Sequence, residues 1–405
     1  MITTPAKALE GLRVLDVTQV MAGPFCTMLL CDMGADVIKI EPPAGDSSRR
    51  MAGAIGSDSP SFNAVNRGKR GVILNLKSSA GQEVFRHLTK TADILVENFR
   101  PTVMSTLGLD YANLAAIQPR LIYASISGYG QTGPDSRRGG FDLIAQGVAG
   151  IMSVTGNPGS DPVKAGVPLT DLGAALFAVS GILAALHYRH SSGRGQHVDT
   201  SLVDAGVALS VWEATEYFSS GQIPSPLGSA HRMSAPYQAI RCADGFITLG
   251  AANDRIFNRL CNVLEHPEWL EQPNYASDTA RVKNRLTLAN AIEGITSKRP
   301  CHYWLELFEQ NEIPCGPIND YADVARDPHL RSRDMVVETD HPTFGKIKTL
   351  GSPIKFSETP TQPNRPAPLL GEHTNEVLRE HGYNAKQIAK LQRDGVLGSQ
   401  RSPNP

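Results

Sequence analysis

Along the first 200 residues, short runs of β-branched and aliphatic residues alternate with stretches whose apolar positions recur at helical spacing. Arg13 to Val17, Val37 to Glu41, Val72 to Leu76, Asp93 to Glu97 and Leu121 to Ser125 read as strands. Pro24 to Met33, closed by Gly34, and a stretch from about Ser79 to Lys90 read as helices between them. Such alternation implies right-handed crossovers and an α/β fold with a doubly wound, mostly parallel, Rossmann-like sheet. Ligands on such sheets bind at the carboxyl ends of the strands. Leu172 to Leu186 is apolar on all sides and therefore reads as a buried helix.

The pattern changes near Gly221 to Met233, where Gly, Pro and Ser accumulate and a domain boundary is expected. Beyond it, Tyr237 to Ile240 and Phe246 to Gly250 flank Asp244-Gly245, a strong hairpin signal. Helical stretches follow at about Ile256 to Leu264, Ala280 to Thr296 and Tyr303 to Asn311, so residues 225–325 read as a small α+β domain. A strand-like piece, Lys346 to Leu350, and a helix from about Thr374 to His381 close the pattern.

Length agrees with this division: 405 residues, at roughly 150 per domain, suggest two or three domains. The net charge of -1 argues against a nucleic-acid partner, whose phosphates call for surplus basic residues. The six cysteines form no CxxC pair, which disfavours a zinc ribbon or a thioredoxin-type motif and suggests a reducing compartment. The segment Met1 to Gly11 lacks a signal pattern, and the 15-residue apolar run is shorter than the ~20 residues of a bilayer span. A cytoplasmic protein without a membrane partner is expected.

Four signals suggest chemistry. Gly128-Tyr-Gly130-Gln-Thr-Gly133 is a literal GxGxxG, but Pro134 and Arg137-Arg138-Gly139-Gly140 follow it, where a dinucleotide fingerprint would open a helix. His187 and His190 lie three apart near a helix end; no third ligand at a suitable spacing accompanies them, so no metal is expected, and dipole complementation explains them. Thr170-Asp171 stands at the head of the apolar helix, where either residue could be an N-cap worth about 1 kcal/mol. Alternatively, the helix dipole holds Asp171 ionised as a nucleophile for an activated acyl group. Finally, Lys39, Arg67, Lys69, Arg70, Lys77, Arg100, Arg137 and Arg138 either solvate a surface or gather at the sheet edge around a polyanionic ligand.

Several motifs, taken in order, resemble the class III CoA-transferases, the family of formyl-CoA and carnitine CoA-transferases. They include Ala22-Gly23-Pro24, Gly34-Ala-Asp-Val-Ile-Lys39-Ile-Glu41, Asn66-Arg-Gly-Lys-Arg70, Val96-Glu-Asn98-Phe99 and Ser127-Gly-Tyr-Gly130. Gly193-Arg-Gly195-Gln196, Ile313-Pro-Cys-Gly-Pro317 and Pro368-Leu-Leu-Gly-Glu-His-Thr374 continue the match. The resemblance implies that Asp171 is the catalytic carboxylate, passing through a mixed anhydride and an aspartyl-CoA thioester. It implies CoA contacts at Met21, Ala22, Leu74, Asn75, Lys77, Asn98, Phe99 and Arg100. Pro42 and Thr106 stand where some members carry arginines, and Arg137 or Arg138 is expected to replace that charge.

The resemblance also implies CoA as co-substrate with no further cofactor, and two interlocked subunits forming a homodimer. In it, residues 1–205 and a return segment, 335–405, build the large domain around the small one. The α-methylacyl-CoA racemases share this fold but carry Gly-His-Asp where this chain has Gly140-Phe141-Asp142, so one of two proton-transfer bases is lacking. A non-catalytic CoA-binding protein is a further alternative. Gly228-Ser-Ala-His231-Arg232 looks more like the succinyl-CoA:glutarate branch, whose members move CoA between dicarboxylates. His231 and Arg232 are then acceptor-carboxylate candidates, or else solvated linker residues. Asp142 either polarises the site or caps the next helix.

Overall fold

The computed structural model describes residues 7–56, 58–361 and 365–398. The chain forms two compact units, one gathering the residues up to Ile151, Lys164–Thr215 and those from Pro328 onward, the other Met152–Val163 and Glu216–Asp327.

In the first unit a parallel sheet contains β1 (Arg13–Asp16), β2 (Asp36–Glu41), β3 (Arg70–Ile73), β4 (Ile94–Glu97), β5 (Ile122–Ser127) and β6 (His197–Ser201). Their order is β3-β2-β1-β4-β5-β6, with every pair parallel. Alternate side chains explain why both faces are covered. Val14, Val37, Ile94 and Val96 join one core with the helices Ala22–Asp32 and Leu169–Ser192. Leu15, Ile38, Leu95 and Tyr123 join the other with Phe85 and Leu88, and with Val377, Leu378 and Ile388 from the far end of the chain. Residues from both ends of the chain therefore build the second of these two cores.

The helix Leu169–Ser192 departs from expectation in three ways. It has 24 residues, exceeding its apolar run, and by length and composition alone it would pass for a bilayer crossing. It is also not buried all round: Ala174, Ala178, Ile182 and Ala185 pack into the core, whereas Leu176, Phe177 and Leu183 are exposed. Its small residues let it approach the sheet closely, and the bulky ones point away. Its N-cap is Pro168, so Thr170 and Asp171 lie inside the first turn and neither is the cap. Gly193, with φ 71°, ends it in the left-handed region that glycine tolerates.

The second unit holds β7 (Tyr237–Arg241), β8 (Phe246–Gly250) and β9 (Cys315–Pro317), an antiparallel sheet containing the expected hairpin. Phe257, Leu260, Ile292, Trp304 and Phe308 from its helices complete a separate core with Ile240, Ile247 and Leu249. Back in the first unit, β11 (Gly345–Leu350) pairs with an unexpected strand, β10 (Val336–His341).

Candidate active site at the carboxyl edge of the parallel sheet

The strand order reverses direction between β1 and β4, which opens a crevice beyond their carboxyl ends. Asn98, just after β4, closes on the loop after β1: its Oδ1 accepts from the Gln19 amide and its Nδ2 donates to the Gln19 carbonyl, both at 2.8 Å. Met21 and Ala22 follow at the start of the first helix. Phe99 packs against the sheet core, and Arg100 is exposed beside Gly139.

Four of the eight basic candidates do not face a ligand. Lys39 is fully buried against the Thr18 carbonyl and Asp46. Lys69 bonds Asp16 at 2.9 Å, together with the Pro24 carbonyl and Asn66. Arg67 pairs with Asp32, and Arg70 with Asp36, Glu376 and Glu380. The Asn66-Arg-Gly-Lys-Arg70 motif therefore builds internal ion pairs. Burial alone would push Asp16 up, but Lys39, Lys69 and the Thr18 and Thr27 hydroxyls outweigh it and hold it well below the usual carboxylate range.

The other candidates vary in access. Lys77, Arg137 and Arg138 are exposed, the last pairing with Asp135 and lying over the Tyr129 ring. Leu74 is buried among apolar side chains, because the residue continues the inward face of β3, so its side chain is not available to a ligand. Asn75 shapes the turn into the helix Ser79–Thr89, its Oδ1 accepting from the Lys77 amide and its carbonyl from Ser78.

Two carboxyl groups meet where the helix Leu169–Ser192 begins. Asp142 opens the helix Asp142–Val148; its Oδ1 accepts from the Thr170 amide at 3.0 Å and hydroxyl at 2.8 Å, and its Oδ2 from Gln146 at 2.7 Å. Gln146 in turn accepts from the Ala165 amide. Asp142 thus caps the first turn of the next helix from outside. The following residue, Asp171, is half-buried; burial, with the nearby Asp142 charge, pushes its carboxyl up to about 6. The dipole does not depress it on balance, yet at neutral pH it remains mostly a carboxylate, and a more basic one than usual.

Close backbone packing holds Asp142 in place. A Cβ on Gly140 would stand 2.6 Å from the Gly128 Cα, so the Gly128-Tyr-Gly130 loop lies directly on Gly139-Gly140. That contact requires Gly128 to be a glycine, and the GxGxxG stretch forms a loop with no helix opening on it. Phe141 is largely exposed and offers no proton. The sequence reading also missed Glu97. Burial pushes it up to about 7, against the Ser125 hydroxyl and Phe99 amide and with Asp199 adding to the rise.

His231 and Arg232 lie in the second unit. The Arg232 Nε is 3.3 Å from Glu216, its Nη2 donates to the Ser225 carbonyl, and the His231 ring stacks on Tyr237. Among the described residues, no cluster of three or more His, Cys, Asp or Glu is arranged to hold a metal.

A doubly wound parallel sheet and, at the head of the helix Leu169–Ser192, a carboxyl raised by burial are the features an enzyme could use, and sequence comparison gives the class. The profile described as CoA-transferase family III matches residues 9–374. The chain is 39% identical over 399 residues to a succinyl-CoA:glutarate CoA-transferase of Homo sapiens, covering 96% of this chain and 90% of that one. It is 40% identical over 385 residues to a succinyl-CoA:mesaconate CoA-transferase of Haloarcula marismortui, covering 93% and 96%. A crystal structure of a CAIB/BAIF family protein from Brucella suis superposes with a TM-score of 0.83 at 36% identity, covering 93% and 99%. The chain belongs to CoA-transferase family III.

Proposed function

We propose that this CoA-transferase carries CoA from succinyl-CoA to a short dicarboxylic acid through covalent intermediates on Asp171, with CoA as co-substrate and no cofactor. The observation that carries the reading is the half-buried Asp171 carboxyl, raised to about 6 beside Asp142. Glutarate and mesaconate, named for the relatives, are both dicarboxylic acceptors.

In this mechanism Asp171 attacks the thioester carbonyl and expels CoA thiolate, leaving a mixed anhydride. The thiolate attacks the Asp171 carbonyl, forms the aspartyl-CoA thioester and releases the donor acid. The acceptor carboxylate then attacks that thioester, again expelling thiolate, and the thiolate takes the acceptor acyl group and frees Asp171. The anhydride activates a carboxylate that would otherwise resist thiolate attack. Lys77, Arg100, Arg137 and Arg138 supply exposed cations for CoA phosphates.

A second copy of the chain, interlocked as a homodimer, accounts for the exposed Leu143, Ile144, Val148, Leu176, Phe177, Val207 and Leu209, which lie on three neighbouring helices. Six free cysteines favour a reducing, cytoplasmic setting. The test is mass spectrometry of thioesters after incubation with succinyl-CoA and a pool of mono- and dicarboxylic acids. New dicarboxylyl-CoA species, together with a CoA adduct on the Asp171 peptide, are expected. Transfer without an Asp171 adduct, or transfer to monocarboxylates alone, would overturn the reading.

A further inference from the structure

Between the end of β1 and the first helix, Val20 adopts φ 69°. A β-branched side chain rarely tolerates that left-handed region, so surrounding structure must impose it. Each neighbouring backbone group is indeed held. Asp16 Oδ1 accepts from the Thr18 amide at 2.9 Å, and Lys39 donates to the Thr18 carbonyl. Asn98 holds the Gln19 amide and carbonyl, and Asp46 accepts from the Val20 amide at 3.3 Å while bonding Lys39 at 3.2 Å. Lys39 and Asp46 are wholly buried, so a desolvated ion pair is maintained at this one loop.

The connection from Asp16 to Ala22 has no topological need for a strained residue. The clamp fixes the loop that leaves the carboxyl end of β1, next to the point where the strand order reverses between β1 and β4. It leaves the Val20 side chain part-exposed just before Met21 and the helix start. We infer that Lys39, Asp46 and Asn98 are positioning residues that lock the Thr18–Val20 loop into a preformed seat for the CoA moiety. The inference rests on the reading that CoA occupies this crevice. It also reassigns Asn98: its side-chain amide contacts the loop, and its effect on CoA passes through Gln19.

Two variants test this. Val20→Gly suits a left-handed φ, so its Tm should hold or rise, while the loosened loop weakens free-CoA binding about tenfold by calorimetry. Asn98→Ala leaves Val20 in place and should weaken CoA by a similar or larger factor, raising KM for the thioester more than it lowers kcat. Hydrogen exchange supplies a readout that a merely structural role would not move. Amides of residues 18–20 should exchange slowly in the unaltered enzyme with or without CoA. In Asn98→Ala they should exchange fast until CoA is added. Native CoA affinity in both variants would overturn the inference and leave the CoA reading intact. Failure of the unaltered enzyme to bind CoA would overturn that reading, and the inference with it.

Discussion

Asp142 holds the Thr170 amide and hydroxyl on a single carboxylate oxygen, at 3.0 and 2.8 Å, and so places its negative charge next to Asp171. One residue thereby caps a helix and raises the basicity of its neighbour. Asp142→Ala should lower the acid limb of the kcat/KM profile below about 6 and reduce kcat on the order of tenfold or more, since the first turn loses its anchor. Asp142→Asn retains an acceptor for Thr170 and should shift the limb with a smaller loss in kcat. An unmoved limb in both variants would remove Asp142 from the account.

Asp171 also costs stability. A carboxyl whose folded pKa, about 6, lies above its ordinary 3.8 binds its proton more tightly in the folded state. Stability therefore declines as pH rises through that window, and the whole cost is present above pH 6. Asp171→Asn should abolish turnover yet stabilise the fold by about 2 kcal/mol at pH 7.5, with little gain at pH 4. Denaturant melts at the two pH values check this; equal gains at both would contradict it.

The basic residues should separate into two groups. Lys69→Met leaves the buried Asp16 short of a partner and should cost about 3–5 kcal/mol of stability. Lys77→Ala and Arg137→Ala should leave Tm within about 1 °C, because surface changes of this kind matter little to folding. They should instead raise KM for CoA thioesters, an effect that shrinks as salt rises. Thermal melts read beside kinetics at two ionic strengths decide the matter.

Gly140→Ala forces a methyl group to within 2.6 Å of the Gly128 backbone, where no flexible side chain can yield. The loop must shift and Asp142 with it. A fall in kcat of about tenfold or more is expected, together with a lower Tm. A variant with native kinetics would show that the two glycine segments separate at little cost.

The alternating Val, Ile and Leu of β1, β2, β4 and β5 were legible because these strands are buried on both faces, which demands continuous apolar runs. His197–Ser201 escaped notice for the opposite reason: β6 is an edge strand, largely polar and partly exposed. β3 was placed late, since Arg70 and Gly71 carry its first ladder positions and do not look like a strand. Thr170-Asp171 stands out at the head of an apolar helix, but residue type alone leaves a cap and a nucleophile equally open, and only the structure shows that neither residue is the cap. Residue type could not distinguish Lys39 and Lys69, which satisfy buried carboxylates, from Lys77, which faces solvent. That distinction depends on pairings between residues as far apart as Lys69 and Asp16.

The return of the chain to complete one of the two cores of the first unit has a consequence for synthesis. Val72 and Phe85 share their cluster with Val377, Leu378 and Ile388, made some 300 residues later. At roughly 5–20 residues per second, that sheet face stays only partly covered for on the order of tens of seconds. The second unit, whose core lies within Ile240 to Ile313, is finished first and can fold during that wait. The nascent chain is thus most exposed to aggregation and chaperone capture while its sheet stands half-clad, and the helices Thr374–Glu380 and Ala385–Arg393 end that exposure.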